Sequence, residues 1–243
     1  MIMQLSFILC FVWGLVSLLA MLLTKRFYIP FLEARLLEDD KKAEVKNNLP
    51  RISNKAFIFI IIICAVFSAF TGFLVSGVFK SSIISGLIVF TLIHIFLSCI
   101  FITDMQLKII PNLCIIIMLC LKAVTLVVDY LVMDRETFFG FLINCIVTSI
   151  VCVIFLLIMS KVTHGGIGMG DIKLLGIVGL FCGAQILFYT VIFSLIFASL
   201  FSLFLLIIKK KSVKDRLPLG PLVWAGYQIC CIVMFLLSTG IVI

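Results

Sequence analysis

The stretch that decides the fold reads LLGIVGLFCGAQILFYTVIFSLIFASLFSLFLLII and covers residues 174–208 without a single Lys, Arg, Asp or Glu. As one straight helix it would extend about 50 Å, whereas the hydrocarbon core of a bilayer is about 30 Å thick. The stretch contains Cys182-Gly183-Ala184-Gln185, and glycine permits the backbone angles of a tight turn. We therefore predict two membrane-spanning helices here, a short one and a longer one, divided near Gly183.

The composition of the whole chain agrees with this interpretation. Of its 243 residues, 64% are apolar and 12% are charged, whereas a soluble domain is about half apolar and a quarter charged. These values exclude a water-soluble globule, and so much apolar surface also excludes an intrinsically disordered chain. The lipid bilayer is therefore the expected environment.

Six further stretches are long and apolar enough to cross a bilayer as helices. Five of them hold no charged residue and one is interrupted only by Lys122; they cover residues 1–24, 56–79, 81–103, 109–128, 137–160 and 217–243. Together with the divided stretch they make eight spans. We predict an all-α integral membrane protein, a polytopic bundle of about eight transmembrane helices.

The placement of the basic residues predicts the orientation of this bundle. With eight spans, 16 of the 19 basic residues lie in cytoplasmic loops, and only Lys80 and Arg135 lie in outer loops. Seven spans would move the basic cluster at 209–216 outside, so the positive-inside rule favours eight spans with both termini outside. Topology thus explains the net charge of +8, and no nucleic-acid partner is expected.

We divide the chain into three parts. Residues 1–24 form a first transmembrane anchor, since they lack the basic n-region and the small-residue cleavage site of a signal peptide. Residues 25–55 form a short charged cytoplasmic loop, and residues 56–243 form the membrane-embedded domain. All ten cysteines lie in apolar stretches and none forms a CxxC pair, so no metal site and no other cofactor is expected.

Two acidic residues lie at cytoplasmic ends of predicted spans, each beside an interrupted backbone. Asp104 is followed by MQLKIIPN, and Pro111 in that sequence disfavours helix in the residue before it. A fourth helix should therefore begin with Pro111 near its first turn. Asp171 closes GGIGMGD, whose four glycines are costly in an ordinary helix, so a helix should start near Asp171.

Either aspartate alone is explained as a helix cap or a topology marker, but together they are what an aspartyl dyad needs. Close carboxylates do not both ionise readily, so such a pair shares one proton and titrates as a unit. The ionised carboxylate can take a proton from water while the protonated one donates to the carbonyl oxygen of a scissile bond. Asp104 and Asp171 are therefore the candidate catalytic pair.

Three motifs then occur in order at predicted cytoplasmic boundaries. GGIGMGDIKL at residues 165–174 resembles the GGxGxGDxKL signature of type IV prepilin peptidases. Asp104 followed by Ile110-Pro111-Asn112 resembles the first catalytic Asp of that family and its downstream IPN, and LPLGP at residues 217–221 resembles its PxGP segment. The resemblance extends from about residue 81 to the C-terminus.

The resemblance implies an aspartic endopeptidase of the bacterial inner or cytoplasmic membrane. Such enzymes cleave the basic leader of prepilin or pseudopilin precursors after a Gly at the cytoplasmic face, in the service of type IV pili, type II secretion or DNA uptake. Asp104 and Asp171 would be catalytic, and a cation at Lys173 would favour the ionised member of the pair, unless it is only a positive-inside charge. The supporting motif residues would be Gly168, Gly170, Lys173, Pro111 and Asn112.

One part of the family pattern is missing from this sequence. Many bacterial members have a larger first cytoplasmic domain with two zinc-binding CxxC pairs, which is linked to N-methylation of the new pilin N-terminus. Residues 25–55 contain no Cys, so we expect a peptidase without methyltransferase activity.

Two other classes of protein stay open on the sequence. A transporter also has charged and broken helices, although its sites usually lie near the bilayer midplane. A presenilin-like protease also carries GxGD, but here Thr103 precedes the first Asp and LPL stands in place of PAL.

For two polar residues inside the predicted spans, His94 and Lys122, we predict structural rather than catalytic roles. His94 lies too far along its helix from Asp104 for direct contact, so we expect it to make a hydrogen bond in the packed interior. We expect Lys122 to extend toward the outer surface or to pair with Asp129, two turns further along.

Overall fold

The computed structural model describes residues 2–31, 54–78, 83–164, 166–207 and 218–238, and within these ranges every regular element is a helix. We number the helices in chain order: α1 (Ile2–Leu23), α2 (Asn54–Val78), α3 (Ile83–Leu107), α4 (Asn112–Val132), α5 (Arg135–Val162), α6 (Met169–Ile207) and α7 (Leu219–Ser238).

The first helix continues beyond its predicted end. A π-helical turn, Thr24–Tyr28, follows α1 directly, and the Ile29 N–H donates to the Thr24 carbonyl, the five-residue spacing of a π-helix. Helical backbone then persists to residue 31, because two basic residues do not by themselves end a helix. Residues 25–31 of the predicted charged loop are therefore helical, and its part at 32–53 lies outside the described residues.

The sixth helix is interrupted where the sequence predicts a break. Gly183 has φ 75° and ψ −174°, which is not helical and lies in the region that favours glycine. A side chain there would also approach Asn144, whose Nδ2 would lie 2.9 Å from the new Cβ. The predicted division near Gly183 is thus confirmed, and α6 consists of a first half, 169–182, and a second half, 184–207.

The helices have the length and composition of a membrane protein. Among the described residues, five helical segments are long and apolar enough to cross a bilayer, and Ile58–Thr71 and Leu219–Met234 are shorter apolar segments. The all-helical membrane fold is therefore confirmed. Eight crossings are not established by these segments, and that number stays a prediction.

The centre of the bundle is formed by α3 and α7, which pack against each other and against neighbouring helices. Ile93, Leu97 and Ile100 of α3 are fully buried, and Trp224 of α7 stacks edge-on against Phe101 of α3 at 5.4 Å between ring centroids. The outer face of α5 is by contrast apolar and exposed, as expected where helices meet lipid.

His94 has the packing role that the sequence predicts. Its side chain is buried in α3, and its Nδ1 lies 3.3 Å from Nε2 of Gln228 on α7. Gln228 also accepts a hydrogen bond from Thr71 Oγ1 of α2 at 2.8 Å. The histidine is thus part of a polar contact that joins α2, α3 and α7, and its hydrogen-bonded packing role is confirmed.

Of the two interpretations of Lys122, extension to the outer surface is wrong, and pairing with Asp129 stays a prediction. Lys122 on α4 is only 3% exposed, and its Nζ lies 5.2 Å from the ring centroids of both Phe141 and Phe181. Helices α5 and α6 cover the lysine, so its ammonium faces two aromatic rings, and this cation–π contact offsets part of its lost hydration. Both rings belong to other helices, so the sequence of α4 alone does not predict this burial.

Candidate active site

Asp104 lies in the last turn of α3 and is 5% exposed. The helix ends one turn later, where Lys108 has φ 52° and its N–H donates to the Asp104 carbonyl at 3.0 Å. Pro111 is extended, with φ −70° and ψ 131°, and α4 begins at Asn112. Pro111 therefore stands directly before the helix rather than inside its first turn, which agrees closely with the predicted start of this helix.

Asp171 lies in the first turn of α6, which begins at Met169 as the glycine pattern predicts. The Asp171 and Ile172 N–H groups donate to the Gly168 carbonyl at 3.1 and 3.3 Å. A Cβ on Gly168 would lie 3.1 Å from Asp171 Oδ2, so the absence of a side chain there leaves room for the carboxylate. Gly165, the first residue of the motif, lies outside the described residues.

Gly170 allows the two aspartate segments to approach each other. A Cβ on this glycine would lie 3.1 Å from the Cβ of Ile110, in the loop between α3 and α4. The second supporting glycine thus has a packing explanation: a larger residue would separate the segment of Asp171 from the segment of Asp104.

The third motif segment contacts Asp104 directly. Gly220, in the first turn of α7, donates its N–H to Asp104 Oδ2 at 2.7 Å. A Cβ on Gly220 would lie 3.0 Å from both the Cβ and Oδ2 of Asp104, so the backbone of α7 approaches the carboxylate closely. Gly220 is not among the site residues predicted from the sequence; its signal is a glycine in the first turn of a helix, within LPLGP.

These three segments surround one cleft of about 510 Å³. Both aspartates line it, although they are 67 residues apart in the chain. The lining residues are Asp104, Lys108, Ile109, Ile110, Gly166, Gly168, Gly170, Asp171, Pro218 and Leu219. The cleft thus offers two carboxylates, one ammonium group and glycine-rich backbone to a bound chain.

Lys173 and Asn112, both predicted as supporting residues, contact each other. The Nζ of Lys173 donates to Oδ1 of Asn112 at 2.8 Å, and both side chains are exposed and lie outside the lining of the cleft. This bond joins the start of α4 to the start of α6. An electrostatic effect of Lys173 on the aspartates stays a prediction.

Lys108 is a charged lining residue that is not among the site residues predicted from the sequence. It follows Asp104 by one helical turn in MQLKIIPN, and it lines the cleft. The sequence predicts its positive charge only as a signal of topology.

Among the described residues, no three His, Cys, Asp or Glu side chains lie close enough together to hold a metal ion.

Two carboxylates in a cleft of this size can perform general acid–base chemistry on a bound peptide. One can accept a proton from water while the other donates to a carbonyl oxygen, which needs both groups near the same bond. The cleft volume of about 510 Å³ lies within the usual range of ligand-binding sites.

Comparisons with known proteins agree with this geometry. Residues 91–207 match the sequence model of the type IV leader peptidase family, a range that contains both aspartates and ends before Gly220. A curated relative, the prepilin leader peptidase/N-methyltransferase of Bacillus subtilis (strain 168), is 32% identical over 73 residues. That alignment covers 30% of this chain and 29% of the relative, so the chain matches less than a third of the relative's length.

No solved structure matches this chain. The resemblance that the motifs carry is nevertheless confirmed by the family match, which includes Asp104, the IPN sequence and GGIGMGDIKL. Over residues 91–207 this chain is thus similar to the type IV leader peptidase family.

Proposed function

We propose that this protein is a prepilin leader peptidase of the aspartic type, with Asp104 and Asp171 as its catalytic pair. The observation that carries the proposal is the convergence of three distant motif segments on one cleft, which both aspartates line. The family match supports the peptidase activity, and the geometry supports the assignment of the two residues.

The proposed reaction needs one ionised and one protonated carboxylate. The ionised carboxylate takes a proton from water as the water oxygen bonds to the scissile carbonyl carbon, and the protonated carboxyl gives its proton to the carbonyl oxygen. When the C–N bond breaks, the first proton passes to the leaving nitrogen. A hydroxyl proton of the intermediate returns to the second carboxylate as the carbonyl forms again, so the pair ends in its starting state.

The proposed substrates are prepilin or pseudopilin precursors, cut after a Gly that ends a basic leader. The cleft contains two acidic groups and one basic group among its described lining, so it suits a cationic segment. We place the site at the cytoplasmic face of a bacterial cytoplasmic or inner membrane, in the eight-crossing topology favoured by the basic residues.

We propose that the chain has no N-methyltransferase activity. The name of the Bacillus subtilis relative includes this activity, but the alignment covers 29% of that protein. Residues 25–55 of this chain contain no Cys, so the zinc-binding CxxC pairs found in many bacterial members are missing from that segment.

The test is co-expression with a tagged prepilin from the same genome, followed by gel shift and N-terminal mass spectrometry. The variants are Asp104→Asn and Asp171→Asn, and the matched control is Asp134→Asn, since Asp134 is exposed and its side chain makes no capping hydrogen bond. We expect cleavage by the wild type and the control, and none by the two dyad variants.

The same experiment separates the competing assignments. Cleavage by either dyad variant would refute the catalytic pair while leaving the peptidase in place. Absence of cleavage by correctly inserted wild-type protein would favour a transporter or another membrane function. A new N-terminus heavier by one methyl group would refute the proposed lack of methyl transfer.

A further inference from the structure

Lys108 places a positive charge in the lining of the cleft, one helical turn beyond Asp104. The other described lining residues are the two aspartates, apolar side chains and glycines. A cation beside a carboxylate pair matters because it favours the state in which one of the two carboxylates is ionised.

The backbone at Lys108 does not by itself call for lysine. Its φ of 52° is left-handed, a conformation that glycine adopts freely and asparagine tolerates, and that is unfavourable for most other residues. The N–H of Lys108 closes the last turn of α3 on the Asp104 carbonyl, which any non-proline residue could do. A lysine in this strained position, facing a candidate catalytic cleft, indicates a use for its side chain.

Each of the two carboxylates has a described backbone donor. Oδ2 of Asp104 accepts the Gly220 N–H at 2.7 Å, at the positive end of α7, and such bonds favour a negative charge. The Asp171 carboxylate, in the first turn of α6, accepts a hydrogen bond from the Gly168 backbone N–H. What distinguishes the two aspartates is therefore the cation: the positive charge of Lys108 acts on Asp104.

We propose that Lys108 is a positioning residue of the dyad, whose ammonium group holds the single negative charge of the pair on Asp104. Asp104 is then the base that accepts the proton of water, and Asp171 is the acid that protonates the scissile carbonyl oxygen. This inference rests on the proposed peptidase function and adds a division of roles between the two aspartates.

The surroundings make Lys108 the relevant cation among the described residues. From the α3–α4 loop the cleft receives Lys108 and two isoleucines, from the start of α6 Asp171 and glycines, and from the start of α7 Pro218 and Leu219. Lys173 donates its hydrogen bond to Asn112, outside the cleft. Besides Asp104, the charged residues of the described lining are thus Asp171 and Lys108.

The test is the pH dependence of kcat/KM for a prepilin-derived peptide with the full-length protein in proteoliposomes. Lys108→Asn and Lys108→Gly remove the charge and suit the left-handed backbone, whereas Lys108→Arg keeps the charge. Lys161→Asn is the matched control, because Lys161 is exposed near the same end of the bundle and outside the cleft lining.

Without the cation, the singly ionised pair forms only at higher pH. The acidic limb of the profile should therefore move upward by about 0.5 to 1 pH unit in Lys108→Asn and Lys108→Gly, a loss of about three- to tenfold on that limb. Activity should recover at higher pH, and the Arg variant and the Lys161 control should keep the wild-type limb.

An unmoved acidic limb in the Asn and Gly variants would overturn the proposal, and so would an equal shift in the Arg variant. Inactivity of the Asn and Gly variants at every pH, with wild-type thermal stability, would also overturn it, because the proposal requires recovery. Failure of the peptidase assignment is seen separately, as an inactive wild type or an active Asp104→Asn variant.

Discussion

Replacement of Gly220 by alanine perturbs the position of Asp104 without removing any polar group. The new Cβ would lie 3.0 Å from the Asp104 Cβ and 3.0 Å from Ile100 Cγ2, closer than carbon atoms normally pack. Because the Gly220 N–H stays in place, its hydrogen bond to Oδ2 remains possible, and only the space beside the carboxylate changes.

The magnitude follows from the required displacement. Asp104 or α7 must move by a few tenths of an ångström, and a displacement of about 1 Å at a reacting group can reduce a rate about a hundredfold. We expect kcat for prepilin cleavage to fall about tenfold with KM little changed. Overpacking costs about 1 to 3 kcal/mol, and the better helix propensity of alanine offsets up to about 1 kcal/mol of that.

The assay measures kcat and KM in proteoliposomes together with thermal unfolding in detergent. Gly140→Ala is the matched control, because a Cβ on Gly140 of α5 would meet no described atom within 4 Å. The control should keep full activity and unchanged or slightly higher stability. Wild-type kcat in Gly220→Ala, or a change confined to KM, would refute the reasoning that α7 positions Asp104 for the chemical step.

Three further outcomes are expected. Gly183→Ala should lower the free energy of unfolding by about 1 to 3 kcal/mol, since alanine is strained at a φ of 75°; an unchanged melting temperature would contradict a fixed break in α6. A double-mutant cycle of Lys173→Met and Asn112→Ala should give a coupling of about 0.5 to 1 kcal/mol, reduced by their exposure; strict additivity of the two melting shifts would contradict the 2.8 Å bond. Single cysteines at 161 and 134, in a background without other reactive cysteines, should be labelled from the cytoplasmic and outer sides respectively, and labelling of both from one side would contradict the predicted topology of α5.

The sequence predicts the helices well because each signal is local. Charge-free stretches identify the helical segments, and the break at Gly183 follows from the length of one stretch and the backbone freedom of one residue. The starts of α4 and α6 follow in the same way from Pro111 and from the glycines before Asp171. In each case the determining chemistry lies within a few residues of the feature.

The predictions that failed or were incomplete depend on contacts between helices, which the sequence of one helix does not reveal. The burial of Lys122 depends on Phe141 and Phe181, which belong to two other helices. The continuation of α1 through a π-helical turn to residue 31 was missed because charge was taken as the end of a helix.

The sequence by itself determined that this chain enters a membrane as helices and that two aspartates, each beside a disrupted backbone, carry the family motifs. Hydrophobicity and the backbone conformations that glycine and proline allow act over short distances, so both can be inferred from neighbours in the chain. Only the tertiary structure decided that the N–H of Gly220 donates to Asp104. It also decided that Lys108 lines the same cleft as Asp104 and Asp171. Those contacts depend on the packing of α3, α6 and α7, which is set by side-chain shape between residues far apart in the sequence.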